Sequence, residues 1–520
     1  LFGENQIFTT MKLQSNALFL PGLVYLFACQ TAPLQQEQPS AYYQEKYRPQ
    51  FHFSPEANWM NDPNGMVYYQ GEYHLFYQYY PDSTVWGPMH WGHAVSKDMV
   101  RWQHLPIALY PDSLGYIFSG SAVVDSGNTS GFGTVDNPPM VAIYTYHEVE
   151  KERAGDTDYQ YQGIAYSLDK GRTWTKYEGN PVLPNQGVRD FRDPKVSWLA
   201  VANKWVMTLA VADRIGFYSS PDLKNWTFES DFGKDLGGHG GVWECPDLFP
   251  LRVESGDETK WVLLVSINPG GPNGGSATQY FVGEFDGKTF TPADDQTRWL
   301  DHGTDNYAGV TWSGVPDEDG RRLLLGWMSN WQYAQVVPTS SWRSAMTLPR
   351  ELKLRKHADG YLLANPPAKE VESIYGASAS LKVSSNEPIP VSDSTYRIRL
   401  RATASEFDGF TVRLSNELEE KVEIVFSDKA IFFDRTQSGL KDFEKGFAAR
   451  HEAPLLLEGD SLSIEIFVDT SSIEVFINDG SIAITELVFP TTPYNRVTAT
   501  WQEGVVVNSL EYTPIMSIWR

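Results

Sequence analysis

The chain has 520 residues, 41% hydrophobic and 21% charged, a balance that suits a globular protein large enough for two or more domains. Its 65 acidic against 42 basic residues give a net charge of −23, which argues against nucleic acid or anionic membrane as partners and favours a neutral ligand. Two cysteines, Cys29 and Cys245, exclude a disulfide framework and a multi-cysteine zinc site.

Residues 1–10 precede the first methionine and read as an upstream extension. From Met11, Lys12 and an apolar run from Ala17 to Ala28, broken at Pro21-Gly22, read as a signal peptide too short to span a bilayer. Leu26-Phe27-Ala28-Cys29 is similar to a bacterial lipoprotein box. The expectation is an exported cell-envelope protein, periplasmic or at the surface, lipid-anchored at Cys29. Residues 30–46, polar and rich in Pro and Gln, read as a flexible tether.

Residues 47–354 read as strands throughout, with apolar, aromatic and β-branched runs between Gly, Pro, Asn and Asp turns. Four segments share one form: strand, Asp, turn, aromatic. They are HAVSKDMVRW, IAYSLDKGRTW, FYSSPDLKNW and VGEFDGKTF, with their aspartates at Asp98, Asp169, Asp222 and Asp286. A strand-turn-strand unit recurring every roughly 50 to 70 residues predicts a β-propeller. The Asp caps a tight turn and the aromatic packs between blades. A further strand region at Arg321 to Trp331 makes five blades. Residues 355–372, with Pro366-Pro367, read as a linker, and residues 373–520 as a β-sandwich with a hairpin turn at Asn478-Asp479-Gly480. The predicted fold is all-β: a five-bladed propeller followed by a sandwich.

Three acids stand out by context. Asp62 lies in Asp62-Pro63-Asn64-Gly65, which reads as a strong turn. Asp193 lies in Phe191-Arg192-Asp193-Pro194, also turn-like. Glu244 lies in Trp243-Glu244-Cys245-Pro246-Asp247, within an apolar strand. Each falls in a different blade, and the innermost strands of a propeller converge on one funnel. Two carboxylates meeting there have the equipment for glycoside hydrolysis, one to attack or activate water and one to protonate the leaving oxygen.

These motifs carry a resemblance. WMNDPNG (Trp59 to Gly65), FRDP (Phe191 to Pro194) and WECPD (Trp243 to Asp247), in that order, resemble the signatures of glycoside hydrolase family 32, the invertase, inulinase and levanase family. HWGHAVSKD, LPIALYPD, IFSGSAVVD and GWMSNWQYA look most like bacterial levanases and fructan β-fructosidases. The resemblance implies release of terminal β-fructofuranosyl units from fructans or sucrose, with retention of configuration. It implies Asp62 as nucleophile, Glu244 as general acid/base and Asp193 as transition-state stabiliser. Asn61, Gln78, Trp86, Phe118, Ser119, Arg192 and Trp331 would line the fructose pocket. A retaining enzyme would hold the Asp62 and Glu244 carboxyls about 5–5.5 Å apart.

Other chemistries find less support. His90 and His93 are three apart on a strand and face opposite ways, so they do not chelate together. Gly283 to Thr289 is one residue short of a phosphate loop and no helix follows. No G-x-S-x-G elbow is present, and nothing calls for a cofactor or metal. Cys245 reads as a small buried hydrophobe that could also tune Glu244. An endo-acting levanase, a fructosyltransferase and a non-catalytic carbohydrate-binding propeller stay open, as does the oligomeric state.

Overall fold

The computed structural model describes residues 42–519 apart from Ser255, Asp317 and Glu458. The expected leader, the anchor at Cys29 and most of the tether lie outside the described residues.

Five antiparallel sheets follow one another along the chain. The first holds β1 (Asn58–Tyr69), β2 (Glu72–Tyr80), β3 (His90–Ser96) and β4 (Trp102–Leu109). The second holds β5 (Tyr116–Val124), β6 (Met140–His147), β7 (Gln160–Ser167) and β8 (Thr175–Lys176), with the short helix α1 (Val149–Ala154) between β6 and β7. The third holds β9 (Phe191–Leu199), β10 (Lys204–Val211), β11 (Arg214–Ser220) and β12 (Thr227–Phe232). The fourth holds β13 (Val242–Arg252), β14 (Thr259–Asn268), β15 (Ala277–Phe285), β16 (Phe290–Pro292) and β17 (Arg298–Trp299). The fifth is built on β18 (Tyr307–Thr311) and β19 (Arg322–Met328). After it, β20 (Trp342–Arg343) lies parallel beside β1 and closes the ring, and β21 (Ala345–Met346) pairs with β19.

The repeated aspartates do one job in four blades. Asp98 accepts the backbone N–H groups of Val100 and Arg101, and Asp222 those of Lys224 and Asn225. Asp169 accepts from Thr173, and Asp286 from Lys288 and Thr289. Each caps the turn between its blade's third and fourth strands. The aromatic after it packs onto the neighbouring blade, as where Trp174 meets Phe76 edge-on at 5.5 Å and Phe290 meets Phe232 at 5.1 Å. Apolar clusters fill every blade junction, for example Val206, Phe217, Trp243 and Leu263 between the third and fourth. Each blade is therefore hydrophobic on both faces, and burial against two neighbours stabilises it.

The linker expectation needs correction. Residues 350–364 form a hairpin, β22 (Arg350–His357) and β23 (Gly360–Ala364), that completes the fifth blade. Glu351, Lys353 and Arg355 of β22 gave it a polar look, but they alternate with buried Arg350, Leu352 and Leu354. The chain then makes a short 3-10 turn over Lys369–Ile374.

Two six-stranded antiparallel sheets follow, packed around a common core that includes Ile398, Phe410, Ile424 and Ile466. The hairpin at Asn478 joins Ser472–Ile477 to Ile482–Leu487, with Asn478, Asp479 and Gly480 all at positive φ. A buried charge network joins sandwich to propeller. Arg350 donates to Asp301 at 2.8 Å and to Glu474 at 2.5 Å, and His52 bridges Asp469 and Glu474 at 2.8 Å each. Removing one member would strand a buried charge, so the network fixes the docking geometry.

Candidate active site

The innermost strands β1, β5, β9, β13 and β18 share a local device. Each places two residues opposite one on the next strand, a β-bulge. Asn61-Asp62 lie against Gln78, Phe118-Ser119 against Thr145, and Asp193-Pro194 against Leu209. Cys245-Pro246 lie against Val265, and Ala308-Gly309 against Gly326. The three signature prolines thus sit inside strands. A proline cannot donate to a ladder, and a bulge is where a strand tolerates it. Asp62-Pro63-Asn64-Gly65 and Arg192-Asp193-Pro194, expected as turns, are bulged strand segments. The turn propensity is real, but it is spent on kinking the strand. Asp193, Cys245 and Ala308 adopt φ of 63°, 46° and 53°. Such backbone costs on the order of 1–3 kcal/mol per residue.

The bulges lie near the N-terminal ends of their strands, and those of β1, β5 and β9 point side chains into one pocket of 210 Å³. All ten residues singled out in the sequence line it: Asn61, Asp62, Gln78, Trp86, Phe118, Ser119, Arg192, Asp193, Glu244 and Trp331. Asp62 accepts from Asn61 Nδ2 at 3.0 Å and from Ser119 Oγ at 2.8 Å. Asn61 is itself held by the Trp59 indole N–H at 2.7 Å. Asp193 accepts the backbone N–H of Cys245 at 3.0 Å. Glu244 accepts from Arg192 Nε at 3.2 Å and Nη2 at 2.9 Å on one oxygen, and from the Tyr307 hydroxyl on the other. Gln78 is buried, and its Nε2 has no partner among the described residues. That leaves a donor free for a ligand hydroxyl. Trp86 stands edge-on to Phe118, and Trp331 packs on Trp327 at 5.0 Å, giving the pocket aromatic walls.

The electrostatics follow from crowding. Burial first, then the Glu244 charge, raises the pKa of Asp62. Burial raises Asp193 to about 7, despite the Arg192 guanidinium next to it. Burial, with the carboxylates beside it, pushes the Cys245 thiol far up, so it stays S–H at neutral pH. A cluster of this kind keeps a proton in the pocket near pH 7.

The sequence reading missed four further lining residues, His147, Glu152, Gln160 and Asp190. Asp190 holds Arg192 Nη1 at 2.6 Å, and Gln160 accepts the Phe191 N–H at 2.9 Å. Burial lowers His147 to about 4, so it is neutral, and its ring stacks on Phe118 at 4.2 Å. Glu152 comes from α1, and its carboxylate lies 3.3 Å from the neutral His147 ring. An acid two residues before Arg192 was a usable signal. The other three depend on how β6 and β7 lie beside β9, which no local pattern shows. Tyr307 was missed for the same reason.

Two family models match, glycosyl hydrolases family 32 N-terminal domain over residues 52–366 and glycosyl hydrolases family 32 C terminal over residues 368–514. The chain belongs to glycosyl hydrolase family 32. This family-32 chain is 52% identical over 496 residues to a levanase of Bacillus subtilis (strain 168), covering 92% of this chain and 72% of that one. It is 41% identical over 489 residues to the extracellular exo-inulinase inuE of Aspergillus niger (strain ATCC MYA-4892 / CBS 513.88 / FGSC A1513), covering 86% and 90%. The crystal structure of exo-inulinase from Aspergillus awamori superposes with a TM-score of 0.84 at 37% identity, covering 92% of this chain and all of that one. These likenesses agree with a five-bladed propeller followed by a sandwich.

Proposed function

We propose that this protein hydrolyses terminal non-reducing β-D-fructofuranosyl residues of levan, inulin and sucrose by a retaining double displacement. The observation that carries the reading is the pocket itself. Asp62, Asp193 and Glu244, with Asp190 and Glu152 beside them, face a space of 210 Å³, bounded by aromatic rings and by hydrogen-bonding groups. Asp193 and Cys245 also border a separate void of 10 Å³. A blind pocket of this size takes one sugar ring from a chain end, which favours exo over endo action. The relatives named levanase and exo-inulinase point to the same substrates.

In this reading Asp62 attacks the anomeric C2 of the fructosyl unit as the C2–O bond to the leaving sugar breaks. Glu244 gives its proton to that oxygen. The ester on Asp62 is then hydrolysed: Glu244 takes a proton from water, the water oxygen bonds to C2, and Asp62 leaves as carboxylate. Asp193 accepts hydrogen bonds from fructosyl hydroxyls and supports the positive charge developing at C2. Arg192 and Tyr307 orient Glu244. Asn61, Gln78, Trp86, Phe118, Ser119 and Trp331 hold the ring.

Chromatography of early products from levan, inulin and sucrose tests the reading. Fructose as the sole product from both polymers supports it. A ladder of oligosaccharides means endo action, and transfer products at high sucrose mean a fructosyltransferase.

We place the domain division after Ala364, with the 3-10 turn as connector. Export is part of the proposal and is supported by the relatives called extracellular. The lipid anchor at Cys29 rests on the Leu26-Phe27-Ala28-Cys29 motif alone, and radiolabelled palmitate incorporated by wild type but not by Cys29→Ser would support it.

A further inference from the structure

The five inner strands have a second end. Their N-terminal ends carry the carboxylates. Their C-terminal ends border two cavities of 670 Å³ and 620 Å³ on the opposite face of the propeller. The two share Ser197, Trp198, Pro250, Ser313 and Arg322, so they form one groove. Trp198 is five residues beyond Asp193 on β9, which sets the groove about 16 Å from the catalytic carboxylates along the strand.

The groove has a distinct set of groups. Trp198 is 39% exposed, an unusual position for an indole, and its edge-on contact with Trp205 at 5.0 Å fixes its plane. Trp205 is anchored in turn by its N–H to Thr129 Oγ1 at 2.8 Å. Among the described residues the Trp198 N–H has no partner in a hydrogen bond. Arg322 stacks on Phe249 at 4.9 Å and makes no ion pair or hydrogen bond to a described side chain. Burial lowers its pKa, with Asp247 the charge that opposes this. The guanidinium therefore leaves its N–H edge free toward the groove.

The charge pattern bears on the ligand. Arg252 and Arg321 also border the groove, but Asp257 holds the first, and Asp319 and Glu370 hold the second. Lys195 is held by Asp247, so among the described residues bordering the groove Arg322 is the one cation without an acidic partner, and no second free cation completes an oxyanion cage. A flat aromatic face, an indole N–H, a stacked guanidinium and the Ser197 hydroxyl suit the apolar face and hydroxyls of a neutral saccharide. The net charge of −23 favours a neutral ligand over an anion in the same way.

We infer that this groove is a second, non-catalytic saccharide-binding site that holds a fructan chain while chain ends are trimmed in the pocket on the other face. The inference rests on the fructan reading above. A pocket that admits one ring grips little of a polymer, whereas a groove several times larger can hold a run of units. Its effect is to keep enzyme and polymer together, so it acts on long substrates and leaves sucrose hydrolysis untouched.

The test uses the full chain. Electrophoresis in a native gel containing levan compares the Asp62→Asn protein, which leaves the polymer intact, with the same protein carrying Trp198→Ala or Arg322→Gln. The expected result is that levan retards the parent and that either added substitution removes most of the retardation. In the otherwise wild-type enzyme, Trp198→Ala should keep kcat/KM for sucrose within about twofold and lose at least about fivefold on high-molecular-mass levan. Intact sucrose hydrolysis shows that the variant is folded. Unchanged retardation with an unchanged levan-to-sucrose ratio overturns the inference. So does a saturable thermal shift with inorganic phosphate that Arg322→Gln abolishes while levan binding persists, which would mark an anion site. If the wild type releases fructose from levan and the groove variants behave like it, only this inference falls. If it releases none from levan or inulin, the functional reading falls and takes this inference with it.

Discussion

Arg192 donates two N–H groups to a single oxygen of Glu244, at 3.2 Å from Nε and 2.9 Å from Nη2, while Asp190 holds Nη1 at 2.6 Å. The guanidinium is a rigid fork, so these contacts fix the orientation of Glu244 as well as balancing its charge. Lysine cannot reproduce two bonds to one oxygen with a third to Asp190. Arg192→Lys should lower kcat by about 10²-fold or more. Asp190→Asn keeps the fork on Glu244 and should cost about tenfold or less. Steady-state kinetics on sucrose across pH separates the two.

Asp193 makes a prediction about stability. Its native pKa is raised to about 7 from an ordinary 3.8, mainly by burial. Between those values the native state holds a proton that the unfolded chain has released, so this group's contribution to stability falls as pH rises through the window. Asparagine carries no such proton. Asp193→Asn should be inactive, yet more stable than wild type at pH 7 by at least about 1 kcal/mol. The gain should vanish near pH 4. Denaturant melts at both pH values check the sign, and a variant less stable at pH 7 would contradict it.

Asp247 ties together strands that carry the pocket. Its Oδ2 accepts the Thr311 backbone N–H at 2.6 Å and hydroxyl at 2.8 Å, and pairs with Lys195 at 3.2 Å. Lys195 also donates to the Thr311 carbonyl. One buried carboxylate thus joins β9, β13 and β18, the strands of Asp193, Glu244 and Tyr307. Asp247→Asn leaves the Lys195 charge buried without its counter-charge. It should cost about 3–5 kcal/mol of stability and lower kcat more than it raises KM. Lys195→Met in the same background should restore part of the stability, since it removes the stranded charge.

The Cys245 thiol lies 3.7 Å from Asp62 and 3.6 Å from Asp193. It is buried and held protonated, so it should resist alkylation. Iodoacetamide at pH 7 should leave activity unchanged, and peptide mass mapping should find Cys245 modified only after denaturation. Cys245→Ala should retain activity within about tenfold, because the thiol makes only weak, long contacts.

The fold was legible where one physical rule repeated. Asp98, Asp169, Asp222 and Asp286 cap equivalent turns, and that repetition was visible as spacing. Trp174 and Phe290 had to be buried somewhere, and a ring of blades supplied the place. The bulges were not legible. In Asp62-Pro63-Asn64-Gly65 the residues that make a turn also make a bulge, and only pairing with β2 decides between them. β22 was hidden by Glu351, Lys353 and Arg355, which alternate with the buried Leu352 and Leu354. At the pocket, the residues within motifs were found, while Gln160 and Tyr307 were not. Their roles depend on which strands become neighbours across more than thirty positions of sequence, from Gln160 to Arg192 at 3.5 Å and from Tyr307 to Glu244.

In the proposed double displacement Asp62 becomes covalently bonded to fructose. A Glu244→Gln enzyme offered a fructoside with a good leaving group should form the ester on Asp62 without proton donation and then stall, since no base activates water. Rapid acid quench followed by peptide mass spectrometry should find one fructosyl unit on the peptide that contains Asp62, and none when Asp62 is also changed to Asn. An unmodified Asp62 peptide during steady turnover of that substrate, or the label on Asp193 instead, would contradict the assignment.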